Sequence, residues 1–147
     1  MNDKEKSKIK IELYKEEIDF LKKDLKSKIE SGQIYKGSIM AFKDALSFIN
    51  SSIKMSEYTI NTWNTLSNEE KKKKNEPIIE LNKIEYQKVD KYLKFLQSII
   101  LSKIKLSNNK VNNIGFKIQE IQEQICRYNK KIEDEKNYIL NNIMSKN

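Results

Sequence analysis

Residues 111–132, VNNIGFKIQEIQEQICRYNKKI, decide how this chain folds. Ile114, Ile118, Ile121, Ile125, Tyr128 and Ile132 follow one another at steps of 4, 3, 4, 3 and 4. A β-strand repeats every two residues, so this spacing belongs to a helix with a narrow apolar stripe, as in a coiled-coil seam. Glu135 interrupts the stripe, and Ile139 and Ile143 resume it. The pattern predicts a helix over about 111–144.

Working outward, three more segments carry the same period. Over about 77–106, Ile79, Tyr86, Val89, Leu93, Leu96 and Ile100 fit one seam, with Asn82 at an inward position. Such an Asn either fixes register or stays wetted at the edge of a bundle. Ser107-Asn108-Asn109 and Asn112-Asn113 mark a turn before the next helix, since Asn favours turns. The stripe also passes through them in phase, by Ile104, Ser107, Val111 and Ile114. A single helix from Pro77 to the C-terminus, on the order of 100 Å long, is therefore the alternative.

Over about 34–66, Tyr35, Ile39, Phe42, Leu46, Ile49 and Ile53 form a seam, and Ala41, Ala45 and Phe48 widen it. This is the most apolar face of the chain. Gly37, Ala41 and Ala45 share one ridge of small residues, which serves either close packing within the chain or docking of a partner helix. Over about 3–30, Ile11, Tyr14, Ile18, Leu21, Leu25 and Ile29 make the fourth stripe, and Ser31-Gly32-Gln33 reads as a helix stop. Residues 67–76 form a basic loop or short capped turn, because Ser67 and Glu70 have capping-box spacing and Pro77 suits a first helical turn.

The expected fold is all-α: long amphipathic helices in one domain over 1–147, forming an antiparallel helical bundle or a coiled-coil assembly. One Pro and three Gly leave few turns for a sheet protein.

Composition removes most chemistry. There is no His, so an imidazole base and His-ligated metal are excluded. The single Cys126 has no thiol partner and reads as incidental. Glu12, Glu16 and Asp19 share a helix face, but it reads as a solvated charged surface, as do Glu120 with Glu123 and Asp134 with Glu135. No phosphate-binding glycine loop occurs. The expectation is a protein that is not an enzyme and uses no cofactor or metal.

The net charge of +8 is nearly all Lys. Phe, Tyr, Met, Ile, Asn and Lys make up 82 of 147 residues, the composition of an A/T-rich genome, so the Lys excess is partly a coding habit. It is concentrated at 67–110. Lys83, Lys88, Lys91 and Lys94 are expected opposite the third seam and, with Lys71, Lys72, Lys73 and Lys74, would form an anion-binding patch. The alternative is a solvated Lys face, and with one Arg the chain has little for base readout.

The N-terminus lacks the apolar core of a signal peptide, and the longest dense apolar stretch, 92–101, is about half a membrane span and holds Lys94. The expected location is the cytoplasm of the producing cell. The leading functional expectation is a helical protein-protein interaction or structural protein that self-associates or binds a protein partner through helix faces. An accessory factor of a phage or mobile element, acting on or within a larger complex, fits the composition. The alternative is a sequence-independent nucleic-acid binder using the Lys-rich surface of 67–110. Far-ultraviolet circular dichroism of the purified chain is expected to show deep helical minima; a sheet or coil spectrum would refute the fold.

Overall fold

The computed structural model describes the backbone of residues 2–73 and 76–145, and their side chains except at 72, 76–81, 144 and 145. It is all-α. Helix α1 spans Asp3–Thr65, α2 spans Asn68–Lys73 and α3 spans Glu76–Ser145.

Local chemistry explains the ends. The Asn2 side chain accepts a hydrogen bond from the Glu5 backbone N–H at 2.9 Å, and the Glu5 carboxylate accepts one from the Asn2 N–H at 3.3 Å. This reciprocal pair satisfies donors that no helical carbonyl can reach. Ser67 Oγ accepts from the Glu70 N–H at 3.2 Å and so opens α2, at the capping position read from the sequence. Pro77 lies in the first turn of α3, where its missing N–H costs nothing.

Two expected breaks are absent. The helix runs through Ser31-Gly32-Gln33, and no described glycine has a positive φ. The reason is phase. The least exposed positions of α1 recur in unbroken steps of 4 and 3 from Ser7 to Trp63, and Leu25, Lys28, Gly32 and Tyr35 carry them across the expected stop. Lys28 takes the seam position, leaving Ile29 41% exposed. The Asn-rich turn is likewise absent, and the single-helix alternative holds: α3 continues through Ile104, Ser107, Val111 and Ile114, with Ser107 buried.

The chain divides into two compact units, one of Met1–Tyr35 with Asn109–Asn147 and one of Lys36–Asn108. In the first, Ile11, Ile18 and Ile132 form the buried core, with Tyr14, Ile125, Tyr128 and Ile139 packed against it. The Tyr14 and Tyr128 rings meet at 5.8 Å, Lys131 lies over both, and Lys10 pairs with Glu135 at 3.7 Å. Glu135 thus stays in the seam by finding a cation. Lys110 lies over Tyr35 at 5.1 Å. From Lys10–Glu135 to Tyr14–Tyr128 to Tyr35–Lys110, the α1 number rises as the α3 number falls, so the two segments are antiparallel.

The second unit is also antiparallel. Lys103 lies over Phe42 at 6.0 Å, Gln97 donates to Asn50 at 2.7 Å, and Lys94 pairs with Glu57 at 3.3 Å. Ile39, Ile49, Ile53, Ser56 and Trp63 are buried on α1. On α3 the seam runs through Asp90, Leu93, Gln97 and Ile100 rather than through the expected Val89 and Leu96. Val89 is 47% exposed, and Asn82 is exposed. Counting back by 3 and 4 from Ile114 along an unbroken helix leads to Asp90 and Gln97, and that phase sets which residues face α1.

Adding a Cβ at Gly32 would meet Ile114 Cγ2 at 3.6 Å, an ordinary contact. Gly in a helix interior costs roughly 0.5–1 kcal/mol against Ala. Gly32→Ala is therefore expected to raise stability by about that amount in a denaturant or thermal melt. A loss of stability would mean that the glycine serves a bend.

Candidate interaction face

Two packed helices can cover only one stripe on each other. Among the described residues no side chain is sealed from solvent, and twenty large apolar side chains are exposed. In the unit of Lys36–Asn108, Met40, Tyr58, Phe95 and Leu101 are exposed on other sides, while a second group shares one side. With seam positions written a and d, α1 places Phe48 and Met55 at c, 74% and 72% exposed, and Ala45, Ser52 and Thr59 at g. On α3, Tyr92 and Leu106 at c are each 61% exposed, and Leu96 and Ile99 are half-buried at g and c.

The polar pairs define the edges of this two-helix layer. Glu57, Asn50 and Lys94 occupy e positions, and they meet α3 or α1 along one edge. In an antiparallel pair the e columns face each other along one edge and the g columns along the other. The c and g residues of both helices therefore lie on the same side, away from Glu57–Lys94. They make one largely apolar face from two helices, interrupted by Lys103 at g on α3, beside the seam that already joins them.

The Gly37, Ala41 and Ala45 ridge borders this face. All three are exposed, and a Cβ built at Gly37 would have nothing within 4 Å. The ridge is therefore not spent on close packing against α3. The sequence points to the ridge but not to the α3 half of the face, because spacing alone places Val89 and Leu96 in the third seam. Tyr92, Ile99 and Leu106 repeat every seven residues, and that was the signal available.

The lysines are dispersed. Lys94 hydrogen-bonds Asp90 at 2.9 Å and Glu57 at 3.3 Å; Lys88 pairs with Glu85 at 3.4 Å. Lys71 lies over the Trp63 ring at 5.2 Å, and Lys83 is half-buried at a seam position. Lys73 and Lys91 are exposed; Lys74 and the side chain of Lys72 lie outside the described residues. The expected arc opposite the seam fails for Lys83 and Lys94, because the seam sits one residue further along than the Val89–Leu96 reading required.

A concavity of about 320 Å³ opens among Tyr58, Trp63, Leu66, Lys83 and Tyr86. Its wall is aromatic, with a cation at the rim, and Trp63 anchors it from the seam. Sequence reading passed over Trp63, although it lies seven residues beyond buried Ser56 in the same register. Cys126 is exposed with a free thiol. Among the described residues no three of His, Cys, Asp and Glu gather in a metal-sized group, and no helix is long and apolar enough to cross a membrane.

No protein-family model matches this chain, and no curated protein or solved structure is detectably similar to it.

Asp90 raises the pKa of Lys94 above its ordinary 10.5, first through its hydrogen bond, and Glu57 adds to the effect. A cation favoured in the folded state stabilises fully below its unfolded pKa, and the contribution disappears as pH rises through the higher folded value. Thermal melts across the alkaline range above 10.5 are expected to lose stability, and Lys94→Gln should flatten that part of the curve. The variant should also melt lower at neutral pH, because it leaves Asp90 in the seam without its cation. Parallel alkaline curves for the two proteins would contradict this.

Proposed function

We propose that this protein is a non-enzymatic helical interaction or structural protein, working by burial of the open c/g face against another helical surface. The observation that carries this reading is the shared exposure of Phe48, Met55, Tyr92 and Leu106 on one side of a two-helix layer. Aromatic and Met side chains are the usual anchors of such contacts, and a small-residue ridge beside them lets a helix approach closely. The charge pattern supports it too. Over 36–65 only Lys36, Lys43, Asp44, Lys54 and Glu57 are charged, in a chain that is 34% charged overall. A helix with so little charge is poorly suited to face water on three sides. The A/T-rich composition is in keeping with a phage or mobile-element accessory factor that acts within a larger complex.

A nucleic-acid role draws less support. Lys88 and Lys94 each have a carboxylate partner, which leaves fewer free cations to exchange with phosphate counterions.

Affinity capture from the producing cell, with half the sample treated with nuclease, tests the reading. Recovery of a protein, or of a second tagged form of this chain, should survive nuclease and disappear for Phe48→Glu. Capture lost on nuclease treatment, together with a low-salt gel shift that weakens for the pair Lys73→Ser and Lys91→Ser, would replace it with nucleic-acid binding.

A further inference from the structure

We infer that the concavity beside Trp63 binds a small planar aromatic anion, its rings held by Trp63, Tyr58 and Tyr86 and its carboxylate by Lys83. The inference goes beyond the interaction reading, which depends on Phe48 and the open face.

The first argument is a charge left over in the seam. Each other charged residue at a described seam position has an opposite charge beside it. Lys28 pairs with Asp24 at 3.3 Å, Asp90 with Lys94 at 2.9 Å and Glu135 with Lys10 at 3.7 Å. Lys83 stands one heptad before Asp90, also in the seam and half-buried. Among the described residues no carboxylate pairs with it. A half-buried ammonium without a counter-charge costs free energy that an aliphatic residue at that position would not. An anion arriving from solution supplies the missing partner.

The second argument is the shape and lining of the space in front of it. The concavity measures about 320 Å³. A dry cavity of about 150 Å³ takes one benzene, so there is room for two fused rings. Trp63 is buried at 6% exposure and forms a fixed wall, while Tyr58 and Tyr86, at 72% and 41%, leave ring surface open to a ligand. Aromatic side chains favour offset-stacked or edge-to-face contact with another ring. Leu66 adds apolar surface, and Asn82 adds an amide that can donate to a carboxylate held by Lys83. No Asp or Glu is among the residues that line the space, and Lys71 over the Trp63 ring at 5.2 Å adds a second positive charge. An apolar, ring-lined hollow with a few convergent polar groups is the usual form of a small-molecule site. One lysine in the wall and one behind it suit a single negative charge rather than a polyphosphate.

Trp63 is the single tryptophan, so its indole N–H gives one assignable peak in a nitrogen–proton correlation spectrum of the full-length chain. The probes are 2-naphthoate and its neutral counterpart 2-naphthamide. Titration with 2-naphthoate is expected to move that peak to saturation, and 2-naphthamide should bind about tenfold more weakly. Lys83→Met keeps an unbranched side chain in the seam, so the helical spectrum should be retained, and it should abolish the preference for the acid. Lys88→Met, remote from the concavity in the lining sense and paired with Glu85, should leave the preference intact. An indole peak that does not move, equal binding of the two probes, or a preference that survives Lys83→Met overturns the inference. So does naphthoate binding that is lost in Phe48→Glu and kept in Lys83→Met, since that places the probe on the open face.

Discussion

A two-helix pair can bury only one stripe on each helix, and that limit governs this molecule. The seam along α1 and α3 recurs every 3 or 4 residues, so each side chain in it touches the opposing helix on one side and water on the other. Fully burying an Ile or Leu contributes roughly 1.5–3 kcal/mol, and the partial burial here yields less per residue. Length compensates. With 63 and 70 residues in the two helices, many modest contacts accumulate along one continuous phase. The same limit leaves the neighbouring columns uncovered.

A long seam of interchangeable aliphatic residues would slide by one heptad with little penalty. Polar residues within or beside it oppose that. Asn50 and Gln97 meet at 2.7 Å, and Lys94 joins Asp90 to Glu57 across the helices. A slip of seven residues would separate these partners and strand an amide and a carboxylate near apolar surface, at about 1–3 kcal/mol for each unsatisfied group. Lys10–Glu135 does the same for the other unit, where Glu135 occupies a seam position that an aliphatic residue would otherwise hold. These apparent interruptions of the heptad therefore specify the alignment.

The mixed outcome of reading the sequence follows from how local signals compete with a long helix. Gly32 and the Asn residues at 108–113 are turn formers in isolation. Each costs a helix only up to about 1 kcal/mol, and a seam continuing in phase on both sides outweighs that. At 100–114 the unbroken phase is visible in the sequence and favours one helix. At 25–35 the same test was available through Lys28 and Gly32, but a charged residue and a glycine do not look like seam residues. The capping at Ser67 and the first-turn position of Pro77 were legible because they are local backbone chemistry.

Helical period, the charge-poor stretch at 36–65 and the small ridge at Gly37, Ala41 and Ala45 are written in the order of residues, since each depends only on spacing and side-chain type. The assignment of rows on α3 was not. Val89 and Leu96 look as much like seam residues as Asp90 and Gln97, and hydrophobicity alone prefers them. Only the packed antiparallel pair decides between them, because the phase arriving along α3 from Ile114 and the partners waiting on α1 choose which row turns inward. The row that loses this choice, with Tyr92 and Leu106, becomes the open face beside Phe48 and Met55.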